Sequence, residues 1–166
     1  MSQKIRVSIV GATGYTGAEL IRLLLKHPRV NISRVTSRAD AGKPLSESWP
    51  NLRGVKLDYS APDAQDIAQN SDVVFFATPH TVAMNMVPEL VEAGCKIIDL
   101  SADFRIKDVP LWEQWYGETH LCPGLVAEAV YGLPELNRQQ LLGANLVACA
   151  GCYPTAIQLG LLPLTA

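Results

Sequence analysis

The sequence predicts an α/β fold built on a doubly wound, mostly parallel sheet. Short β-rich runs alternate with segments of helical periodicity along much of the 166-residue chain, the pattern of parallel strands joined by crossover helices. The run DVVFFAT at 72–78 is apolar on both faces, as a strand covered by helices on both sides must be. The first strand also runs directly into a glycine-rich turn that opens the first helix.

Residues 5–10, IRVSIV, form that first strand. From Ala18 the pattern changes: Leu20, Ile21, Leu24 and Leu25 recur at helical intervals until His27-Pro28 ends the run. Residues 30–37, VNISRVTS, read as a second strand. The stretch 39–60 carries Gly42, Pro44, Pro50 and Gly54 and is assigned mostly to loop. A short helix is expected over 64–69, then the strand at 72–78, then a helix over 81–93 disturbed at Pro88 and stopped by Gly94. Residues 96–100, KIIDL, give another strand. The Pro/Gly-punctuated section holding Trp112, Trp115 and Tyr116 resists assignment, and 145–149 and 155–162 give a last strand and a last helix.

Composition bounds the function. With 48% hydrophobic and 18% charged residues the chain is globular, and its length suffices for one domain with a core, or one domain and a piece of another. A formal net charge of −2 without a basic block argues against a nucleic-acid partner. The N-terminus MSQKIRVSIVG has no signal-peptide core. No apolar run approaches the ~18 residues of a membrane helix, so a soluble, cytoplasmic protein is expected. Cys95, Cys122, Cys149 and Cys152 read as reduced thiols rather than a disulfide framework. The apolar ending AIQLGLLPLTA suggests a fold that continues further. The expected organisation is a nucleotide-binding domain over 1–150 and, over 151–166, the start of a second, catalytic domain.

The turn GATGYTG at 11–17 lies between strand and helix. Glycines at this spacing allow a tight turn, close approach of a pyrophosphate and close packing of helix on strand, the arrangement of a Rossmann-like dinucleotide site. The free N–H groups and partial positive charge of the helix N-terminus favour phosphate. The pattern is GxxGxxG, a variant of the commoner GxGxxG, and a tight turn without ligand is the competing reading. At the end of the second strand, Ser37-Arg38 stands where an NAD-preferring site often has an acidic residue. A hydroxyl and a guanidinium suit a 2′-phosphate, so NADP(H) is expected over NAD(H).

Cys152 lies between the last strand and the last helix. A thiolate there is stabilised by the helix's partial positive charge, Pro154 suits a first helical turn, and Gly151 permits close approach of another group. These features suit a nucleophile, and a small buried core thiol is the alternative. Cys149 and Cys152 also form a CxxC. A metal site is set aside, because there is no second CxxC and no histidine nearby in sequence. A redox dithiol would leave the glycine turn unexplained. Strand alternation turns Cys149 the same way as Val147, which is expected to be toward a packed layer.

Together, GATGYTG at 11–17, DLSADFR at 99–105, AVYGLPE at 129–135 and GCYPT at 151–155 resemble the N-acetyl-γ-glutamyl-phosphate reductases of arginine biosynthesis, along essentially the whole chain. The resemblance implies the first half of such an enzyme, whose members continue through an α+β substrate and dimerisation domain. It implies NADPH-dependent reduction of an acyl phosphate to an aldehyde with loss of phosphate, no membrane partner, no metal, and a homo-oligomer, dimer or tetramer, at full length. It makes Cys152 the nucleophile and Gly11, Thr13, Gly14, Tyr15, Thr16 and Gly17 the cradle of the cofactor phosphates.

Ser101 and Arg105 lie just past a strand's C-terminal end, where doubly wound sheets bind ligands. Arg105 is expected to clamp the departing phosphate; an ion pair with Asp103 or Asp108 is the alternative. Thr78 and Pro79 are expected on the nicotinamide side, with His80 beside them. The family's catalytic histidine belongs to the later domain, so His80, His27 and His120 are not assigned that role, and this half alone should turn over slowly or not at all. Members commonly have proline where this chain has Ala150, a departure that removes no reacting group.

The alternatives are an aspartate-semialdehyde dehydrogenase, which shares the chemistry, and a non-catalytic NADP-binding sensor, which needs no reactive thiol. A short-chain dehydrogenase needs Tyr with Lys four residues on; the residues at that offset here are Glu19, Asp63, His120, Glu135 and Ile157.

Overall fold

The computed structural model describes residues 3–165. Strands β1 (Ile5–Val10), β2 (Val30–Thr36), β3 (Tyr59–Ser60), β4 (Val73–Phe76), β5 (Lys96–Asp99), β6 (Val130–Gly132) and β7 (Leu146–Cys149) form one sheet in the order β3-β2-β1-β4-β5-β7-β6. Every adjacent pair is parallel. The helices are α1 (Tyr15–Leu24), α2 (Leu45–Ser48), α3 (Ala64–Asn70), α4 (Ala83–Glu92), α5 (Val109–Tyr116), α6 (Pro123–Glu128), α7 (Pro134–Leu141) and α8 (Cys152–Thr165). The chain leaves β1 for β2 on one side, then returns to lay β4 on the other. That switch opens a crevice at the carboxyl ends of the strands.

Alternation along the strands builds a core on each face. Val10, Val74, Phe76, Ile97, Leu146 and Ala148 meet α3, α4, α5 and α6 in the larger cluster. Ile9, Ile32 and Val35 point the other way and meet Ile21 of α1 together with Leu45, Leu52 and Tyr59. Beyond β1 this second face is less covered. Phe75, Ile98, Val147 and Cys149 are half-buried and α8 buries no side chain among its described residues. The expectation that Cys149 turns toward the packed layer is therefore corrected: Leu146 and Ala148 do so.

The stretch 39–60 is more ordered than its Gly and Pro content suggested. Leu45, Leu52 and Tyr59 anchor it in the second core, and pairing of Tyr59 with Val35 adds β3 to the sheet edge. The unassigned middle becomes α5, α6, β6 and α7. Asp108 caps α5 by accepting from the Leu111 N–H at 3.0 Å, and the Trp112 indole donates to the Ala102 carbonyl.

Pro88 does not break α4. It cannot donate to the Met84 carbonyl one turn back, and the Cys122 thiol takes that acceptor at 3.5 Å. Burial pushes the Cys122 thiol up to about 11, so it keeps the proton it donates. Gly94 ends the helix as expected. Its φ of 85° allows the Cys95 N–H to reach the Leu90 carbonyl at 2.9 Å. No described helix is long and apolar enough to cross a membrane.

Candidate active site

The glycine turn has a separate physical reason for each of its glycines. Gly11 has φ 80°, and a Cβ there would stand 2.7 Å from the Ala77 carbonyl oxygen and 2.7 Å from Thr78 Cγ2. Gly17 lies inside α1, where a Cβ would meet the Ala12 backbone at 2.6 Å. Gly14 is the N-cap, carries no side-chain cap, and a Cβ there meets nothing within 4 Å. Helix α1 starts at Tyr15 rather than at Ala18, its first full-turn bond running from the Ala18 N–H to the Gly14 carbonyl. The N–H groups of Tyr15, Thr16 and Gly17 therefore open onto the turn, and Tyr15 and Thr16 are exposed.

Beside the turn lies a groove of about 240 Å³, lined by Gly11, Thr13, Thr36, Ser37, Arg38, Pro62, Thr78, Pro79 and Val82. It spans the carboxyl ends of β2, β1 and β4. Within it the hydroxyls of Thr36 and Thr78 are buried and have no hydrogen-bond partner, which in a folded protein marks polar groups placed for something else. Arg38 is exposed at the β2 end, and Ser37 Oγ accepts from the Asp40 N–H at 3.1 Å. A glycine cradle, an uncapped helix start and orphaned hydroxyls fit a dinucleotide.

The segment 99–105 braces the same sheet edge further along. Asp99, fully buried at the end of β5, accepts from both the N–H and the hydroxyl of Ser101 at 2.8 Å. The Ser101 hydroxyl in turn accepts from the Asp103 N–H at 3.3 Å. Asp103, also fully buried, accepts from the Thr81 N–H at 2.7 Å and the Met84 N–H at 3.0 Å. Arg105 makes neither of the ion pairs considered for it. Its Nε donates to the Cys149 carbonyl at 2.6 Å and its Nη2 to the Leu100 carbonyl at 2.5 Å, stapling the ends of β5 and β7. Its Nη1 makes no hydrogen bond among the described residues and lies against Gly151, 3.2 Å from where a Cβ would stand. The roles of Asp99 and Asp103 were not legible in the sequence, because a buried acceptor and a solvated aspartate look alike there.

Burial pushes the Asp99 carboxyl from its ordinary 3.8 up to about 6, with the Ser101 hydrogen bonds and Arg105 pulling it down and Asp103 adding to the rise. A carboxyl that holds its proton more tightly when folded adds stability at low pH and loses it as pH climbs through that interval. Asp99→Asn keeps an acceptor for the Ser101 N–H but cannot ionise. Urea denaturation from about pH 4 to about pH 6.5 should therefore show the parent losing on the order of 2 kcal/mol relative to the variant. Parallel profiles would rule this out.

Cys152 is the first residue of α8, is exposed, and follows β7 at the same sheet edge. The helix begins three residues before the expected 155, with the Thr155 N–H bonded to the Gly151 carbonyl at 2.9 Å. Burial pushes the Cys149 thiol up to about 11 and also raises Cys95. Of the histidines, His120 is buried, with Nε2 bonded to the Asp103 carbonyl oxygen at 2.7 Å and Nδ1 accepting from the Cys122 N–H. His80 is exposed beside the Tyr116 ring, and His27 accepts from the Arg29 N–H.

Residues 6–144 match the family described as semialdehyde dehydrogenase, NAD binding domain. An N-acetyl-gamma-glutamyl-phosphate reductase of Cellvibrio japonicus is 62% identical over 161 residues, covering 96% of this chain and 46% of that protein. The chain spans about half the length of the curated relatives it matches. Among solved structures, aspartate semialdehyde dehydrogenase II of Vibrio cholerae aligns with a TM-score of 0.70 at 19% identity, covering 98% of this chain and 46% of that one. The aspartate semialdehyde dehydrogenase of Candida albicans, solved with NADP, aligns with a TM-score of 0.65 at 19% identity over 98% of this chain and 47% of that one. At these identities the structural likeness establishes the fold.

Proposed function

Because the chain belongs to the semialdehyde dehydrogenase NAD-binding family, we propose that it is the nucleotide-binding half of an N-acetyl-γ-glutamyl-phosphate reductase. Such an enzyme converts N-acetylglutamyl 5-phosphate into N-acetylglutamate 5-semialdehyde in arginine biosynthesis. The observation that carries the reading is the exposed Cys152 in the first turn of α8, on the same sheet edge as the dinucleotide groove. The 62% identity to a reductase of that name supports the acyl group.

In this reading the Cys152 thiolate attacks the carbonyl carbon of the acyl phosphate. The new C–S bond forms as the C–O bond to phosphate breaks, leaving a thioester on the cysteine. Arg105 Nη1 receives the departing phosphate, its guanidinium already fixed by two backbone carbonyls. Ser101, buried with its hydroxyl bonded to Asp99 and to the Asp103 N–H, braces the segment that carries Arg105 instead of contacting substrate. The nicotinamide cofactor, when bound, supplies the hydride that reduces the thioester carbonyl. Breaking the C–S bond then frees the aldehyde and returns the thiolate.

The 11–17 turn holds the pyrophosphate through the N–H groups at the start of α1, with Gly11, Thr13, Gly14, Tyr15, Thr16 and Gly17 around it. Thr78 and Pro79 line the nicotinamide side. The domain division proposed is a nucleotide domain over 1–150 and the start of the catalytic domain over 151–166, in a cytoplasmic homo-oligomer acting on small molecules. The solved aspartate semialdehyde dehydrogenases share the fold alone, and GCYPT argues for the acetylglutamyl enzyme. At full length, phosphate-dependent oxidation of N-acetylglutamate semialdehyde should outpace that of aspartate semialdehyde, and the reverse order would replace this reading by the other.

NADP(H) is the proposed cofactor, with Ser37 and Arg38 at the 2′-phosphate. A hydrogen bond to a charged group is worth ~1.5–3 kcal/mol. Arg38→Ala should therefore weaken NADPH binding by roughly tenfold to a hundredfold while leaving NADH unchanged. Equal binding of both cofactors by the parent, with NADPH affinity untouched in the variant, would refute the assignment.

A further inference from the structure

We propose that Asp103 is a positioning residue for the nicotinamide end of the groove, holding the 78–82 loop in the conformation that presents Thr78 and Pro79. The inference rests on reading the groove as the dinucleotide site. Thr81 has φ 72° and is the one non-glycine residue with positive φ among the described residues. A β-branched residue in that region is strained and stays there only when its surroundings over-determine it.

Those surroundings are visible. One oxygen of the buried Asp103 carboxylate takes the Thr81 N–H at 2.7 Å, and the other takes the Met84 N–H at 3.0 Å. On the outer side the Asn85 side chain donates to the Thr81 carbonyl at 2.6 Å. Asp103 is itself fixed, its N–H bonded to Ser101 Oγ and its carbonyl oxygen to His120 Nε2.

A helix cap alone does not require this arrangement. A serine or aspartate at the N-cap would serve α4 locally, yet Val82 stands there with no side-chain cap. The carboxylate comes instead from the segment after β5, so the groove-lining loop is tied to the strand edge that leads on to Cys152. Thr78, Pro79 and Val82 line the groove, on either side of the strained residue. The cofactor crosses the edge from β2, where Arg38 lies, toward β4, so Asp103 acts on its far end.

The test compares two probes on this chain. NADPH carries the nicotinamide and 2′,5′-ADP lacks it. Asp103→Asn pairs an amide N–H against a backbone N–H, and should weaken NADPH about tenfold while changing 2′,5′-ADP affinity less than about twofold. Thr81→Gly in the Asp103→Asn background should recover most of the loss, because glycine adopts a positive φ without being held. Asn85→Ala changes an exposed side chain and spares the core, so folding is not at issue; it should give the same selective loss, on a smaller scale. Equal loss of both probes, or unchanged NADPH affinity in Asp103→Asn and Asn85→Ala, would overturn the proposal. Failure of the parent to bind either probe would overturn the groove reading as well.

Discussion

A full-length reductase carrying Cys152→Ser turns over at least ~10⁴-fold more slowly than its parent, the scale expected when a covalent nucleophile is removed. A serine hydroxyl at the same place stays protonated near neutral pH and is a far weaker nucleophile than a thiolate. Affinity for NADPH should be unchanged, because the groove is built from other residues. Cys149→Ser is the control. That thiol is half-buried at the end of β7 and is held protonated by burial, so its replacement should leave kcat within about threefold of the parent. Steady-state assays of both variants separate the roles, and a Cys152→Ser enzyme with more than about a hundredth of parental kcat would end the covalent mechanism.

Gly17→Ala has the largest expected effect on the fold. The added methyl would stand 2.6–2.7 Å from the Cα, carbonyl carbon and oxygen of Ala12. None of these can swing away as a side-chain tip could. Helix α1 must lift from β1, at a cost of about 3 kcal/mol, or roughly 10 °C in Tm for a domain of this size. The lift also carries the helix N-terminus away from the groove, so NADPH affinity should fall with stability. Gly14→Ala is the informative contrast. Its methyl meets nothing within 4 Å, so thermal stability should stay within about 2 °C of the parent while NADPH binding weakens, because the methyl occupies the cofactor's approach. Thermal melts with and without NADPH distinguish the two glycines. A Gly17→Ala chain as stable as the parent would contradict the packing account.

The parts of the fold legible in the sequence were those set by local periodicity and punctuation. Strands β1, β2, β4, β5 and β7 appear close to where apolar runs placed them, and Gly94 ends α4 by the positive φ it was expected to supply. Strand β3 was not legible, because two residues pair with β2 only after Leu45, Leu52 and Tyr59 have found the second core. Pro88 read as a disturbance because its remedy, the Cys122 thiol, lies 38 residues from the Met84 carbonyl that it serves.

The site divides in the same way. The glycine turn and the cysteine at a strand-to-helix junction carry their chemistry in a few adjacent residues. Asp99, Asp103 and the carbonyl staple of Arg105 act across separations of 2, 19 to 22 and 5 to 44 residues. Only the folded sheet edge reveals what the longer ones hold.

The most direct test of the central claim is the alkylation rate of each cysteine under pseudo-first-order iodoacetamide at about pH 7, followed by peptide mass spectrometry with and without NADPH. A nucleophile poised at a helix start beside the cofactor predicts that Cys152 labels first, faster than a simple model thiol, and that bound NADPH alters its rate. Cys95, Cys122 and Cys149 should lag. A Cys152 that labels no faster than the model thiol and ignores NADPH would contradict the account.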